Sequence, residues 1–263
     1  MAPTAESGNG WYVYGVVPAE AASRELFAAA RGVHASGAVT LVADGDLAAI
    51  ASGVPLTEFG EAAIEENLRD EAWLEEKVRA HETVLEAALA GTPLVPFRFG
   101  TIFRSDDHVR KMLRENPHLT EVLERLRGTV ELGVKAYLDV DEFERRHGDE
   151  AEAGEGGRAY LLRKQRDRRL ADARASFVNA CAEESHARLS SAAEDARANP
   201  LHRPEVTGGA GEMLLNGAYL VRVAAEAGFK DALSALESRF AADGVQYELT
   251  GPWPPYNFVE VER

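Results

Sequence analysis

Strand-like and helix-like stretches follow one another in an order that occurs twice along this chain, and that order limits its architecture more than any single residue does. In the first half, Trp11-Tyr12-Val13-Tyr14-Gly15-Val16-Val17 is aromatic and β-branched and is closed by Pro18, the pattern of a strand. A short helix is expected over about 19–31, ending near Gly32. Two apolar runs, 39–43 and 47–51, flank Asp44-Gly45-Asp46, and Asp-Gly between apolar runs signals a hairpin.

The stretch 61–90 has the strongest helical period. Ile64, Leu68, Leu74, Val78, Leu85 and Leu89 share one face, and Gly91 supplies a stop. Trp73, Ala80, Val84 and Ala87 fall on the opposite face. One helix on one sheet does not need two apolar stripes, so Trp73 and Val84 are candidate contacts to a partner or to another domain. Leu94 to Phe103 then reads as a strand, and Ser105 or Asp106 caps a helix over about 106–127.

The second half repeats the order. Residues 130–138 alternate as a strand does, and 141–157 reads as an acidic, Gly-bearing loop. A long helix follows over about 158–199, then a strand over 213–221 with a short partner near 205–207, a helix over 226–242 and a last strand over 245–250. Strand-helix-strand-strand-helix-strand is the order of ferredoxin-like folds. The expected class is therefore α+β, with two domains that are each βαββαβ ferredoxin-like or a variant of it, and an extra helix between them. The expected boundaries are a flexible leader at 1–10, an N-terminal domain at 11–128 and a C-terminal domain at 129–263.

Composition narrows the function classes. With 263 residues, 45% of them hydrophobic, the chain is long enough for a packed core. Carboxylates outnumber bases 44 to 29, a net charge of −15 that disfavours nucleic acid and anionic lipid as general partners. The single cysteine, Cys181, has no intrachain partner and sits in an alanine-rich helical pattern, which reads as a buried thiol. No run of 18 apolar residues and no signal peptide is visible, and an intracellular, reducing location is expected.

No catalytic signature emerges. His81-Glu82 begins like a zinc-protease helix, but position 85 is Leu where a second His is required. Gly208-Gly209-Ala210-Gly211 lacks the Lys-Ser/Thr of a phosphate-binding loop, and no Gly-x-Ser-x-Gly elbow presents a nucleophile. No catalytic residue, cofactor or metal is expected.

Recognition features are easier to find. Near the C-terminus, Gly251-Pro252-Trp253-Pro254-Pro255-Tyr256-Asn257-Phe258-Val259 sets Trp253, Tyr256 and Phe258 on a backbone stiffened by three prolines. So much apolar surface points to a docked segment, on its own core or on a partner. Arg98, between Phe97 and Phe99, is either a polar-face arginine or a charge-assisted contact to a partner or to the C-terminal rings. Glu58 to Glu76 holds eight acids against Arg69, and Arg158 to Arg174 holds seven bases against Asp167 and Asp172. Solvated helix faces explain such blocks; so does pairing across a domain interface or between successive copies.

Three of these segments, Trp11 to Val17, Pro96 to Phe103 and Gly251 to Phe258, resemble the gas vesicle GvpL/GvpF family, and the resemblance extends over about 11–260. It implies an accessory or minor structural protein of gas vesicles, located with the vesicle and in the cytoplasm. Such a protein would act in assembly by contacting the hydrophobic main shell protein GvpA and other vesicle proteins. It also implies an N-terminal α+β domain and a ferredoxin-like C-terminal domain, and carries over no catalytic residues. The competing classes are a small-molecule enzyme on a ferredoxin-like scaffold and a soluble adaptor unrelated to vesicles.

Overall fold

The computed structural model describes residues 8–23, 30–148, 157–201 and 211–259. They form two compact units, one of residues 8–129 together with 253–259, the other of residues 130–252. The aromatic C-terminal segment thus belongs to the first unit, although in sequence it follows the last strand of the second.

The first unit is built around β1 (Asn9–Pro18), which pairs antiparallel with β3 (Leu47–Pro55) on one side and with β4 (Val95–Pro96) and β5 (Ile102–Phe103) on the other. Beyond β3 lies β2 (Thr40–Asp44), giving the order β2-β3-β1-β4. The β2–β3 hairpin turns at Gly45, whose φ of +59° suits glycine. The β1–β3 register shifts between Val13 and Gly15. This bulge adds a residue to β1, so Tyr12, Tyr14 and Val17 all enter one core despite their uneven spacing.

Both faces of this sheet are covered. Ala48 and Ile50 of β3 join the core that contains Val84, Leu85 and Ala88, whereas their neighbours Ala49 and Ala51 are equally buried on the opposite side. The first face takes α1 (Leu56–Phe59) and α3 (Glu71–Leu89), with α2 (Glu61–Asn67) between them in sequence. The helices α4 (Asp106–Glu115) and α5 (Leu119–Leu126) pack against β2, β3, β1 and β4 with Val109, Leu113, Leu119 and Leu123 buried.

Several expectations need correction here. The stretch 61–90 is not one helix. It breaks at 68–70, where Asp70 starts α3 by accepting from the backbone N–H groups of Ala72 and Trp73. The inward face of α3 is Lys77, His81, Val84, Leu85 and Ala88, and Leu68 is exposed. The expected strand 94–103 is interrupted by a turn with Gly100 at φ +83°. The helix expected over 106–127 is two helices, because Pro117 lacks an N–H and Asn116 leaves helical geometry (φ −121°, ψ 57°). Ser105 is its cap, its Oγ accepting from the His108 N–H. A three-residue 3-10 helix (Ala19–Ala21) stands where a longer helix was expected, and 24–29 lie outside the described residues. Asn9 and Gly10 already belong to β1, while 1–7 of the expected leader lie outside the described residues.

In the second unit, β6 (Thr129–Leu138) is central, between β8 (Glu212–Arg222) and β9 (Val245–Trp253). At the edge, β7 (Asp195–Ala198) pairs antiparallel with β8, and the order is β7-β8-β6-β9. Leu132, Val134, Ala136 and Leu138 alternate into the core. They meet Phe143 of α6 (Val140–His147), Cys181 and Leu189 of α7 (Gly157–Ser190), and Phe229, Leu233, Leu236 and Phe240 of α8 (Glu226–Phe240).

Here too the structure differs from expectation. The acidic stretch from 141 begins as a helix, because Asp139 accepts from the Glu142 N–H and Phe143 is buried. The long helix stops at Ser190, and 195–198, expected to be helical, are the strand that pairs with β8. The short strand expected near 205–207 lies outside the described residues. Cys181 is buried, and burial raises its thiol pKa.

Candidate partner-docking groove

The geometry of the candidate site starts from one residue, His81, which is fully buried on the inner face of α3. Its ring stacks on Tyr14 at 5.6 Å and meets Tyr12 and Phe99 edge-on at 5.7 and 5.9 Å. Phe99 in turn meets Trp73, and Trp73 meets Phe59. The Trp73 indole N–H donates to Glu58 Oε1 at 2.9 Å, and Lys77 pairs with the same carboxylate at 3.6 Å.

Both His81 nitrogens are used. Nδ1 lies 2.9 Å from Tyr12 Oη and Nε2 lies 3.1 Å from Tyr256 Oη. The Tyr256 hydroxyl donates to Glu82 Oε1 at 3.0 Å, so it accepts from a protonated Nε2. That leaves Nδ1 as the acceptor for the Tyr12 hydroxyl, which itself accepts from the Gly100 N–H at 3.1 Å. Polarity therefore runs one way through five groups, from Gly100 through Tyr12, His81 and Tyr256 to Glu82. Each hydroxyl and each ring nitrogen in the series has a partner, the condition for a buried polar network to stabilise rather than cost.

Electrostatics agree with a neutral imidazole. Burial lowers the His81 pKa to about 4, against a smaller raising effect of the Phe97 backbone. Burial raises the pKa of Tyr12, Tyr14 and Glu82; the Tyr256 hydrogen bond works in the opposite direction on Glu82. No group of three or more His, Cys, Asp or Glu among the described residues is placed to hold a metal ion.

The network fastens the C-terminal segment to the loop after β4. Pro254, Pro255 and Phe258 are buried, and the Phe258 carbonyl accepts from Arg125 of α5 at 2.5 Å. Beside this junction runs a groove of about 1190 Å³, walled by the loop Pro96–Thr101, by His108, Lys111 and Met112 of α4, and by Tyr256, Asn257 and Val259. Phe97, Phe99, Phe103 and Met112 supply its apolar part, and Glu115 and Asn116, at the end of α4, line it as well. Arg98 stands exposed on the same wall, and its guanidinium has neither an ion pair nor a hydrogen bond among the described residues.

The seven residues singled out from sequence thus separate into two groups. Val84, Phe97 and Phe258 are core residues of the first unit, at 0, 4 and 3% exposure. Trp73 packs against that core, and Tyr256 joins it through His81. The core-facing side of α3 thus takes Trp73 and Val84 from one expected stripe and Leu85 from the other. Arg98 and Trp253, the latter 43% exposed, remain at the surface. Sequence reasoning missed Tyr12, His81 and Glu82 as network members. The available signal was the position of His81 three, four and seven residues before Val84, Leu85 and Ala88 on one helical face.

Comparison with known proteins gives a consistent picture. The sequence model of the family described as gas vesicle synthesis protein GvpL/GvpF matches residues 10–260. Gas vesicle protein L of Streptomyces sp. (strain CB03234) is 35% identical over 227 residues, covering 84% of this chain and 83% of the relative. Gas vesicle protein F of the same organism is 31% identical, covering 84% and 88%. Among solved structures, gas vesicle protein GvpF from Anabaena sp. PCC7120 superposes with a TM-score of 0.71 at 18% identity, covering 97% of this chain and 98% of its own. GvpF from Microcystis aeruginosa superposes with a TM-score of 0.64 at 18% identity. The two solved chains share this mixed helix-and-sheet fold.

Proposed function

The chain belongs to the gas vesicle synthesis protein GvpL/GvpF family, and from that premise we propose that it is an accessory or minor structural protein of gas vesicles that acts non-covalently in their assembly. Its partner is an apolar segment of the hydrophobic main shell protein GvpA, held in the groove between the Pro96–Thr101 loop, α4 and the C-terminal segment. One observation carries this reading. The two sequence motifs around Arg98 and Tyr256, 158 positions apart, line the same groove. A shell subunit with exposed apolar surface aggregates unless covered. The groove offers Phe99, Phe103 and Met112 for that surface, while the net charge of −15 keeps the helper soluble. Arg98 on its wall favours a segment carrying a carboxylate, whereas Lys111 there already pairs with Glu115.

The strand orders support reading each unit as a variant of the ferredoxin-like plan. In both sheets the first strand of the unit lies between the third and the fourth. Other vesicle proteins, and a place at the vesicle shell and in the cytoplasm, belong to the same reading. No helix among the described residues is long and apolar enough to cross a membrane.

The test is capture of co-expressed shell protein by the wild type and by a variant carrying Arg98→Glu and Lys111→Glu. Both side chains are exposed, so the variant should melt as the wild type does. We expect capture to fall sharply. Undiminished capture by a folded variant would remove the groove from the account, and normal vesicles in cells lacking the protein would remove the assembly role.

A further inference from the structure

The long helix α7 is packed along only part of its length. From Leu170 onward it contributes Leu170, Phe177, Val178, Cys181 and Leu189 to the core of the second unit. Residues 160–169 are all exposed except the half-buried Arg166 and hold three adjacent apolar side chains, Tyr160, Leu161 and Leu162, each about 60% exposed. Arg163, Lys164, Arg168 and Arg169 have no ion pair among the described residues. Helical residues with so little packing are marginal on their own, and like charges one turn apart, as at Lys164 and Arg168, weaken them further.

The first unit carries the complement. On α2 and the first turn of α3, Glu61, Glu65, Glu66 and Glu71 are exposed and have no ion pair among the described residues. Between them in sequence is Leu68, 44% exposed and the only large apolar side chain of the acidic stretch that is so open among the described residues. One surface is basic and apolar, the other acidic and apolar, in a chain whose overall charge is strongly negative.

We propose that these two surfaces dock copies of this chain head to tail, with the 160–169 segment of one copy on the acidic α2–α3 surface of the next. The surfaces differ, so the contact is heterologous, and copies add head to tail. The association is driven by opposite charge and reduced by salt. It stands independently of the assembly role, since it concerns the isolated protein.

Sedimentation velocity of the purified full chain at low and high salt tests this, with two charge-neutralised variants. One carries Arg163→Gln, Lys164→Gln, Arg168→Gln and Arg169→Gln. The other carries Glu61→Gln, Glu65→Gln, Glu66→Gln and Glu71→Gln. Wild type should form oligomers whose mean size rises with concentration and which high salt disperses. Each variant alone should stay monomeric with an unchanged melting temperature. Mixed, the two should give a 1:1 complex and nothing larger, because only one complementary pair of surfaces survives. A wild type that stays monomeric at low salt overturns the proposal. So does an acid-neutralised variant that still oligomerises, which would mean that the helices pair with each other. Binding of the 160–169 segment to anionic vesicles or to shell protein by a chain that never self-associates would overturn it as well.

Discussion

His81 Nε2 and Tyr256 Oη lie 3.1 Å apart although 175 positions separate them in the chain. This contact ties the C-terminal segment to the centre of the first unit. Tyr256→Phe keeps the ring and removes the hydroxyl, which takes the Tyr256 contact from His81 Nε2 and the donor from Glu82. We expect the unit to lose about 1–3 kcal/mol, the cost of stranding buried polar groups. Urea unfolding read on the first unit checks this. A midpoint equal to the wild type would mean that the network adds nothing.

The same histidine predicts an acid limb of stability. The His81 pKa is about 4 in the folded chain, and its ordinary value is 6.5. Between these values the unfolded state binds more protons, so the stability from this group is fully present above pH 6.5 and is lost as pH falls toward 4. The slope is about 1.4 kcal/mol per pH unit where the two states differ by one proton. Glu82 acts in the opposite sense. Its raised pKa gives a contribution present below its ordinary 4.5 and lost as pH rises, which blunts the acid end of the curve. Unfolding free energies measured from pH 7.5 to 4.5 should decline more steeply for the wild type than for His81→Gln. Parallel curves would sink the assignment.

Phe258 is buried, and its carbonyl is held by Arg125. Phe258→Ala should cost about 3–5 kcal/mol, the range for emptying a buried aromatic site. Arg125→Ala should cost less but act in the same place. Hydrogen exchange should show the lost protection in α3 and in 97–101, with α8 and β8 unchanged. Loss confined to the second unit would contradict the assignment of the segment to the first.

Gly15 is a steric position. A Cβ there would stand 2.6 Å from the Val95 carbonyl oxygen and 2.8 Å from Leu94 Cδ1, where β1 meets β4. Gly15→Ala should destabilise by about 1–3 kcal/mol through overpacking. Gly53 of β3 is the control, because nothing lies within 4 Å of its added Cβ. Equal melting temperatures for the two variants would refute the argument.

Much of the architecture is legible in the sequence where the signal is local. β1 follows from its aromatic and β-branched run, the β2–β3 hairpin from Asp-Gly, and the capped start of α4 from Ser105. The break between α4 and α5 is legible too, at Pro117, once its missing N–H is weighed against the continuing apolar period. Asp139 gives a similar local start signal for α6, one that the acidic composition after it obscures.

What sequence periodicity cannot supply is which side of an element is buried, because that depends on neighbours far away in the chain. Two apolar stripes on α3 look equivalent in sequence, yet Val84 of one and Leu85 of the other enter the same core beside His81. In the same way 195–198 continue a helical pattern, yet they form a strand because β8 offers them an unpaired edge. The sequence by itself determined the family, the mixed order of strands and helices, and a rigid aromatic C-terminal segment. Only the tertiary structure decided that this segment closes the first unit through His81, since a neutral, doubly bonded imidazole requires two hydroxyls that meet nowhere but in the folded core.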